Sequence, residues 1–204
     1  MTLTEFVKKW YGKKIDFDHY AGVQCVDLIK QYINDVFKVK PQSIGNAKAY
    51  WQKRNGNYLK SMFVPVVNKN TTVPRRGDIF VRTSGTFGHI GICTGGGNTD
   101  YFNAWEQNNG GTGEGMTLHK HTNWSTINFL RPKVQYVKAN GGLNGYSSKT
   151  SKNPCVLIPN NSKVTIIETE CCVRRIKGKD YTLERVLYNG KKYYVASEYV
   201  ECER

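Results

Sequence analysis

Residues 16–27 have the sequence DFDHYAGVQCVD and join a polar loop to an apolar helix. From there, apolar side chains recur at spacings of three and four, the pattern of a helix buried on one face, at Val26, Ile29, Ile33, Val36 and Phe37. The spacing predicts a helix from about Cys25 to Phe37. A thiol at a helix N-terminus faces the positive end of the backbone dipole and unpaired N–H groups, which favour the thiolate. Because the thiolate is the nucleophilic form, Cys25 is a candidate nucleophile.

The same twelve residues space their oxygen atoms like a calcium-binding loop. Positions 1, 3, 5, 7 and 12 of this window are Asp16, Asp18, Tyr20, Gly22 and Asp27. Tyr20 and Gly22 would contribute only their backbone carbonyls. The last ligand is Asp where such loops have Glu, and the sixth residue is Ala21 where they have Gly. The number of oxygens predicts calcium as a cofactor, rather than magnesium.

Each feature has a simpler interpretation when it is taken alone. A single Cys on a helix is most often a small buried apolar residue. Asp residues before a helix most often form turns or cap the helix. Their combination within twelve residues favours a catalytic and metal-binding site, provided that a base and an acidic partner occur elsewhere in the chain.

The composition limits the classes of partner. The chain has 204 residues, enough for one or two domains, and a formal net charge of +14. This charge points to a polyanion such as nucleic acid, a membrane surface or an anionic cell wall, although it also serves solubility alone. No zinc-finger or RNA-recognition motif is found, which argues against nucleic acid. No C-x-x-C pair occurs among the six cysteines, which argues against structural zinc.

The sequence also bears on location. No stretch approaches the length of a membrane span, so membrane insertion is not expected. The N-terminus lacks the basic start and apolar core of a signal peptide. We therefore expect the protein to remain in the cytoplasm unless another route releases it. A monomer is expected.

The first two thirds of the chain predict an α+β domain, residues 1–133. A helix over Thr2 to Trp10 and the Cys25 helix come first. Antiparallel strands follow, predicted at Ile79–Arg82, Gly88–Thr94, Thr99–Trp105 and Asn128–Pro132. Helices that precede antiparallel strands are typical of the α+β class.

A nucleophilic Cys needs a base, and that base needs an orienting group. His89 is the best base, because it lies within a strand between Gly88 and Gly91, whereas His19, His119 and His121 are predicted to lie in polar loops. Glu106, at the end of the next strand, would hold the imidazole in the correct tautomer, and Asn108 is the alternative. The side chain of Gln24 and the backbone N–H of Cys25 would stabilise an oxyanion. A lone His in a strand is more often simply packed, but this order of Cys, His and acid is that of a papain-like fold.

The remaining residues predict a linker, 134–142, and a second domain, 143–204. Short β-rich runs separated by turns, including Asn189-Gly190, predict a small all-β barrel. No set of Cys, His and acid recurs there, so binding is expected rather than catalysis.

Five motifs together resemble the cysteine, histidine-dependent amidohydrolase/peptidase family, known as CHAP, of phage endolysins and bacterial wall hydrolases. They are Gln24-Cys-Val-Asp27, Gly45-Asn-Ala47, Pro74-Arg-Arg-Gly-Asp78, Gly88-His-Ile-Gly91 and Glu106-Gln-Asn108. The resemblance covers about residues 3–132. It implies that Cys25 is the nucleophile, His89 the general base and acid, and Glu106 the orienting residue assisted by Asn108. Some members bind calcium through acidic residues before the Cys, a pattern that the 16–27 loop matches.

The C-terminal part resembles bacterial Src-homology-like wall-binding domains, through Leu143–Ser147, Val164–Ile167 and Tyr188–Ser197. It lacks the usual Arg-Ser-Gly-Pro, which Tyr146-Ser-Ser-Lys replaces. Together the two resemblances imply an endolysin that cuts an amide bond in peptidoglycan, with peptidoglycan and its anionic polymers as partners. They also imply that it stays in the host cytoplasm until a holin releases it to the cell wall. The bond would be that of an N-acetylmuramoyl-L-alanine amidase or of a stem or cross-bridge endopeptidase. Two alternatives are a non-catalytic wall-binding protein with a degenerate site and a polyanion-binding protein.

Overall fold

A computed structural model describes residues 1–69, 71–122 and 125–202. The chain divides into two compact units, Met1–Arg131 and Pro132–Arg204. Five residues within the predicted domains, 70, 123, 124, 203 and 204, lie outside the described ones. None of the helices in the described ranges is long and apolar enough to cross a bilayer.

In the described residues of the first unit, four α-helices precede all strands of the sheet. They are α1 (Leu3–Trp10), α2 (Cys25–Tyr32), α3 (Ala47–Gln52) and α4 (Leu59–Met62). Thr2 and Glu5 form the predicted capping box of α1. The predicted helix from Cys25 to Phe37 is found in full, but its last turn, Ile33–Phe37, is a π-helix that ends at Lys38 in the left-handed conformation.

Six strands form the sheet of the first unit, in the order β1-β6-β2-β3-β4-β5. They are β1 (Phe63–Val66), β2 (Ile79–Arg82), β3 (His89–Gly97), β4 (Phe102–Glu106), β5 (Thr117–His121) and β6 (Ile127–Pro132). The pairs β2–β3, β3–β4, β4–β5 and β2–β6 are antiparallel. A core of aromatic and aliphatic side chains, including Phe80, Phe102 and Phe129, packs on this sheet. The α+β prediction is confirmed for this unit, and β5 is a strand where loop was expected.

The second unit is built of strands. They are β7 (Val134–Val137), β8 (Leu143–Gly145), β9 (Val156–Ile158), β10 (Lys163–Ile176), β11 (Lys179–Tyr188), β12 (Lys191–Ala196) and β13 (Val200–Glu201). Five of them form one sheet in the order β12-β11-β10-β7-β13, and β8 and β9 pair separately. Asn189-Gly190 turns the chain between β11 and β12, as predicted.

The predicted linker, residues 134–142, was wrong in its first half. Residues 134–137 form β7, which pairs with β10 on one side and with β13 on the other. Gln135 and Val137 are buried there. The two buried positions are one polar and one apolar residue, so no apolar alternation marks this strand in the sequence, and its partners are distant along the chain.

The Pro74–Asp78 turn supplies a buried ion pair. Nη2 of Arg131 donates to Oδ2 of Asp78 at 2.8 Å, and Nε donates to Oδ1 at 3.0 Å. Both side chains are almost fully buried. This pair joins the turn before β2 to the end of β6.

We expect Asp78→Ala to destabilise the protein by about 3–5 kcal/mol, because it leaves the Arg131 guanidinium buried without its carboxylate. Urea denaturation of the full chain measures this loss. Asp180→Ala is the matched control, since its pair with Arg175 is exposed and 3.9 Å long; such a pair contributes about 0–1 kcal/mol. Equal losses in the two variants would contradict the structural role of the buried pair.

Candidate active site

Cys25 is the first residue of α2, as the sequence predicts. Gln24 precedes the helix, and its backbone N–H donates to Oδ2 of Asp27 at 3.0 Å, which fixes the helix start. The backbone N–H of Ile90 in β3 donates to the Cys25 thiol. The sulfur therefore lies against the strand that carries His89, one residue before Ile90 in the chain.

The expected thiolate is not what this geometry favours. Burial, with a smaller contribution from the negative charge of Glu106, raises the pKa of the Cys25 thiol to about 11. Backbone N–H groups, chiefly that of Ile90, act in the opposite direction but do not offset burial. Cys25 is half-buried at the start of α2, and this burial opposes the expected effect of the helix N-terminus on the thiol. Attack by this sulfur needs a base that removes the proton.

His89 and Glu106 meet as predicted. His89 is the first residue of β3 and is 3% exposed, and its Nε2 lies 2.9 Å from Oε2 of Glu106 at the end of β4. Because an ionised carboxylate only accepts, we assign the proton to Nε2, which leaves the lone pair on Nδ1. Gly91 permits the approach of these strands, since a Cβ there would lie 2.6 Å from the Phe80 ring and 2.9 Å from Cβ of Glu106.

Glu106 is a buried, ionised carboxylate. Burial alone would raise its pKa, but hydrogen bonds from His121 and then His89 lower the pKa to about 2. The side chain is fully shielded from solvent. A permanently charged acceptor beside His89 is what an orienting residue requires.

His119 and His121 were predicted to lie in polar loops, and this was wrong. Both lie in β5, which pairs with β4. Nε2 of His121 lies 3.2 Å from Oε2 of Glu106, and Nδ1 of His119 lies 3.8 Å from Oε1. The signal was present in the sequence as the alternation Thr117, His119, His121. The intervening Leu118 and Lys120 and a preceding Gly-rich loop masked it. His19, by contrast, lies in an exposed bend with a φ of 55°.

Two further predicted residues make contacts within their own loops. The side-chain carbonyl of Asn108 accepts from the backbone N–H of Gly113 at 2.8 Å. One amide N–H of Gln24 donates to the carbonyl of Ala21 at 2.8 Å, and its second N–H is the one left for an oxyanion. The roles of Asn108 as an assisting residue and of Gln24 as an oxyanion donor stay predictions.

Sequence reasoning missed the function of Gln107, which is fully buried. Its amide nitrogen donates to the carbonyls of Ile15 at 2.7 Å and Gln24 at 2.6 Å, and its oxygen accepts from the N–H of Ile15 at 3.2 Å. One side chain thus ties both ends of the acidic loop to the strand that carries Glu106. Only its place between Glu106 and Asn108 hinted at this.

Three of the five predicted metal ligands come together through their carboxylates. One oxygen each from Asp16, Asp18 and Asp27 lies within 4.8 Å of the others. Oδ1 of Asp16 is buried and has no hydrogen-bond partner among the described residues. The other two predicted ligands are in the turn of the loop: Tyr20 is largely exposed, and Gly22 has a φ of +68°.

A lysine, which the sequence analysis did not single out, enters this acidic cluster from α2. Nζ of Lys30 donates to Oδ2 of Asp18 at 2.5 Å and to Oδ1 of Asp27 at 3.1 Å. The hydrogen bond from Lys30 lowers the pKa of Asp18, whereas burial raises that of Asp27. The Lys30 ammonium therefore occupies part of the acidic cluster as its counter-ion.

The segment that holds these residues is similar to known proteins. Residues 15–108 match the family model of the CHAP domain. That segment holds the acidic loop, Cys25, His89 and Glu106. The CHAP resemblance predicted from the motifs is thus confirmed for these residues, and the Src-homology-like resemblance of the C-terminal part stays a prediction.

Two curated relatives are phage endolysins. The chain is 42% identical over 97 residues to endolysin LysK of Staphylococcus phage K, a match covering 46% of this chain and 19% of that protein. It is 33% identical over 139 residues to endolysin PlyTW of Staphylococcus phage Twort, covering 62% of this chain and 28% of that protein. The matched segments therefore span less than a third of either relative.

A solved structure shares the fold. The crystal structure of wild-type endolysin LysIME-EF1 aligns with a TM-score of 0.55 and 20% sequence identity, covering 95% of this chain and 78% of that one. At this identity the likeness concerns the fold alone.

Proposed function

We propose that the chain is a phage-type endolysin that hydrolyses an amide bond of bacterial peptidoglycan through Cys25, His89 and Glu106. The observation that carries this proposal is the buried hydrogen bond of 2.9 Å between His89 and Glu106. It leaves Nδ1 of His89 as the basic atom on the strand whose next backbone N–H donates to the Cys25 thiol. The CHAP match and the endolysin relatives support peptidoglycan as the substrate.

In the proposed reaction, the proton of the Cys25 thiol passes to Nδ1 of His89 as sulfur attacks the amide carbonyl carbon. We propose that transfer accompanies attack, because burial raises the pKa of the thiol. The carbonyl oxygen becomes an oxyanion, for which the backbone N–H of Cys25 and the free amide N–H of Gln24 are the proposed donors. Proton transfer of this kind contributes about 10²–10⁴-fold to the rate.

The tetrahedral intermediate then collapses. His89 returns the proton to the leaving nitrogen, the C–N bond breaks, and a thioester remains on Cys25. A water molecule that gives its proton to His89 hydrolyses the thioester, which releases the carboxylate product and restores the thiol. Glu106 stays ionised throughout and stabilises the imidazolium.

Mass spectrometry of digested peptidoglycan tests the proposal. We expect new amine and carboxylate ends at one type of amide bond, and the fragment masses distinguish an amidase from a stem or cross-bridge endopeptidase. Sedimentation with walls without released amines would instead favour a non-catalytic wall-binding protein. Salt-dependent binding to DNA that exceeds wall binding would favour the polyanion alternative.

Within this proposal, residues 143–204 of the second unit form a Src-homology-like wall-binding domain. Its strand composition and the half-buried Tyr188, Tyr193 and Tyr194 support a binding surface of rings and lysines. Co-sedimentation of the catalytically inactive full chain with purified walls tests it.

Calcium is the proposed cofactor of the acidic loop. The residues fit the ion, because three carboxylates converge and one buried oxygen of Asp16 has no partner among the described residues. Asp16, Asp18 and Asp27 would hold calcium through their carboxylates, and Tyr20 and Gly22 through their carbonyls. Bound calcium would fix the loop that leads into the Cys25 helix.

Calcium binding would have to displace the Lys30 ammonium from Asp18 and Asp27. We therefore expect Lys30→Met to strengthen calcium binding by about tenfold or more, since each charge-assisted hydrogen bond lost to the metal is a substantial cost. The variant should also melt lower than the natural chain in chelator and gain more from calcium.

Isothermal titration with calcium and thermal melting with and without chelator measure both effects. Lys9→Met is the matched control, because Lys9 pairs with Asp35 at 3.4 Å, outside the loop. A melting temperature that calcium leaves unchanged in all three proteins would contradict the proposed cofactor.

A further inference from the structure

One oxygen of Glu106 serves two imidazole rings. Oε2 lies 2.9 Å from Nε2 of His89 and 3.2 Å from Nε2 of His121. We propose that His121 is a positioning residue for the centre proposed above: by donating to Oε2, it aims the carboxylate at His89 and thereby fixes the tautomer of the base. This inference rests on the proposed function for its kinetic consequence but not for its structural one.

The His121 ring is itself held in place. It stacks on Phe102, with centroids 4.9 Å apart and an interplanar angle of 15°, and it packs against Phe80 at 4.7 Å. Phe80 in turn contacts His89 at 5.9 Å. Only a tenth of the His121 side chain is exposed. Because the His121 ring is packed between Phe80 and Phe102, its N–H points in one direction. A donor with a fixed direction can orient the Glu106 carboxylate.

The surroundings of Oε1, the second oxygen of Glu106, explain why the hydrogen bond from His121 matters. Oε1 of Glu106 is buried without a hydrogen-bond partner among the described residues, and the nearest ring nitrogen, Nδ1 of His119, is 3.8 Å away. With His121 removed, Oε2 would keep one donor and nothing would stop the carboxylate from rotating about its terminal bond. His89 would then lose its fixed acceptor part of the time.

The charged and titratable groups that face Glu106 come from every element around it. They are His89 on β3, His119 and His121 on β5, and the thiols of Cys25 on α2 and Cys93 on β3. Of the imidazoles, only His89 and His121 are within hydrogen-bond distance of the carboxylate. Burial raises the pKa of Glu106. The hydrogen bond from His121 lowers this pKa more than the hydrogen bond from His89 does.

A purely structural role for His121 would rest on its aromatic packing, and two substitutions separate the roles. His121→Phe keeps a ring between Phe102 and Phe80 but removes the N–H. His121→Gln loses the ring but keeps an amide N–H at the reach of Nε2. If His121 positions Glu106, His121→Gln should keep the properties of the natural protein and His121→Phe should lose them. If His121 only packs against the rings, the reverse is expected.

The first readout needs no substrate. Nitrogen NMR of the full chain reports which ring nitrogen of neutral His89 carries the proton. We expect only Nε2–H in the natural protein and in His121→Gln, and a mixture with Nδ1–H in His121→Phe. His119→Phe is the control, because its ring nitrogen is beyond hydrogen-bond distance, and it should match the natural protein.

The second readout is peptidoglycan hydrolysis. We expect His121→Phe to lower kcat by about tenfold with KM unchanged, since the interaction acts on the base rather than on substrate binding, and His121→Gln to restore most of it. An unchanged His89 tautomer in His121→Phe, or a Gln variant no better than Phe, would overturn the inference. If the natural protein hydrolyses no peptidoglycan, the proposed function fails, and the NMR result alone decides the role of His121.

Discussion

Cys25→Ala is expected to lower peptidoglycan hydrolysis by about 10³-fold or more, because no other group in the site can form the thioester. The thiol lies at the start of α2 and receives the backbone N–H of Ile90, so its loss removes the attacking atom without disturbing a salt bridge or a cap. The measurement is the release of amines from purified walls, together with the fall in turbidity of a wall suspension.

The variant should keep its fold and its binding to walls, which melting and sedimentation check. Cys155→Ala is the control, because this exposed cysteine lies in the second unit. Hydrolysis at the natural rate by Cys25→Ala would refute the nucleophile and with it the proposed mechanism.

Glu106→Gln is expected to lower kcat by about 10³–10⁴-fold, as the loss of an orienting carboxylate does in other triads. The amide has the same shape, but it is neutral and its NH₂ cannot accept from His89. Its carbonyl oxygen can accept from Nε2–H but carries no charge to stabilise the imidazolium, and its NH₂ end, when it faces His89, selects the wrong tautomer. Kinetics on soluble peptidoglycan fragments separate this effect from changes in wall binding.

The same substitution changes stability in acid. The pKa of Glu106 is lowered from 4.5 to about 2 in the folded protein. Its contribution to the free energy of unfolding is therefore complete above pH 4.5 and is lost as the pH falls toward 2. We expect the natural protein to lose more stability than Glu106→Gln across that interval.

Glu114→Gln is the control for both effects, since Glu114 is partly exposed and pairs with His119 at 2.9 Å, away from His89. Its activity should stay within about twofold of the natural value, as expected for a surface pair. A Glu106→Gln variant that is equally active would show that another group orients His89.

The positions of the three proposed catalytic side chains were predictable because each has a local signature. Cys25 begins a stretch with the 3.6-residue period, and His89 and Glu106 lie in adjacent strands with clear β-rich runs. The acidic loop was predictable for the same reason, since its spacing lies within one window. The carboxylates of Asp16, Asp18 and Asp27 do converge in the structure.

What could not be predicted depends on contacts between distant parts of the chain. The pKa of Cys25 is set by burial against β3, which no local pattern reports. The contacts of Gln107 with Ile15 span 92 residues, and those of His121 with Glu106 depend on the pairing of β5 with β4. Lys30 appeared to be an ordinary charged residue of a helix until the fold placed it among the carboxylates.

The most direct test of the central claim is to alkylate the protein with iodoacetamide and follow hydrolysis and modification together. Peptide mass spectrometry quantifies the modification of each of the six cysteines. If Cys25 and His89 act as nucleophile and base, activity should fall in proportion to the modification of Cys25 alone, and Glu106→Gln should slow that modification near neutral pH. Protein that is fully alkylated at Cys25 and still hydrolyses peptidoglycan at the natural rate would contradict the account.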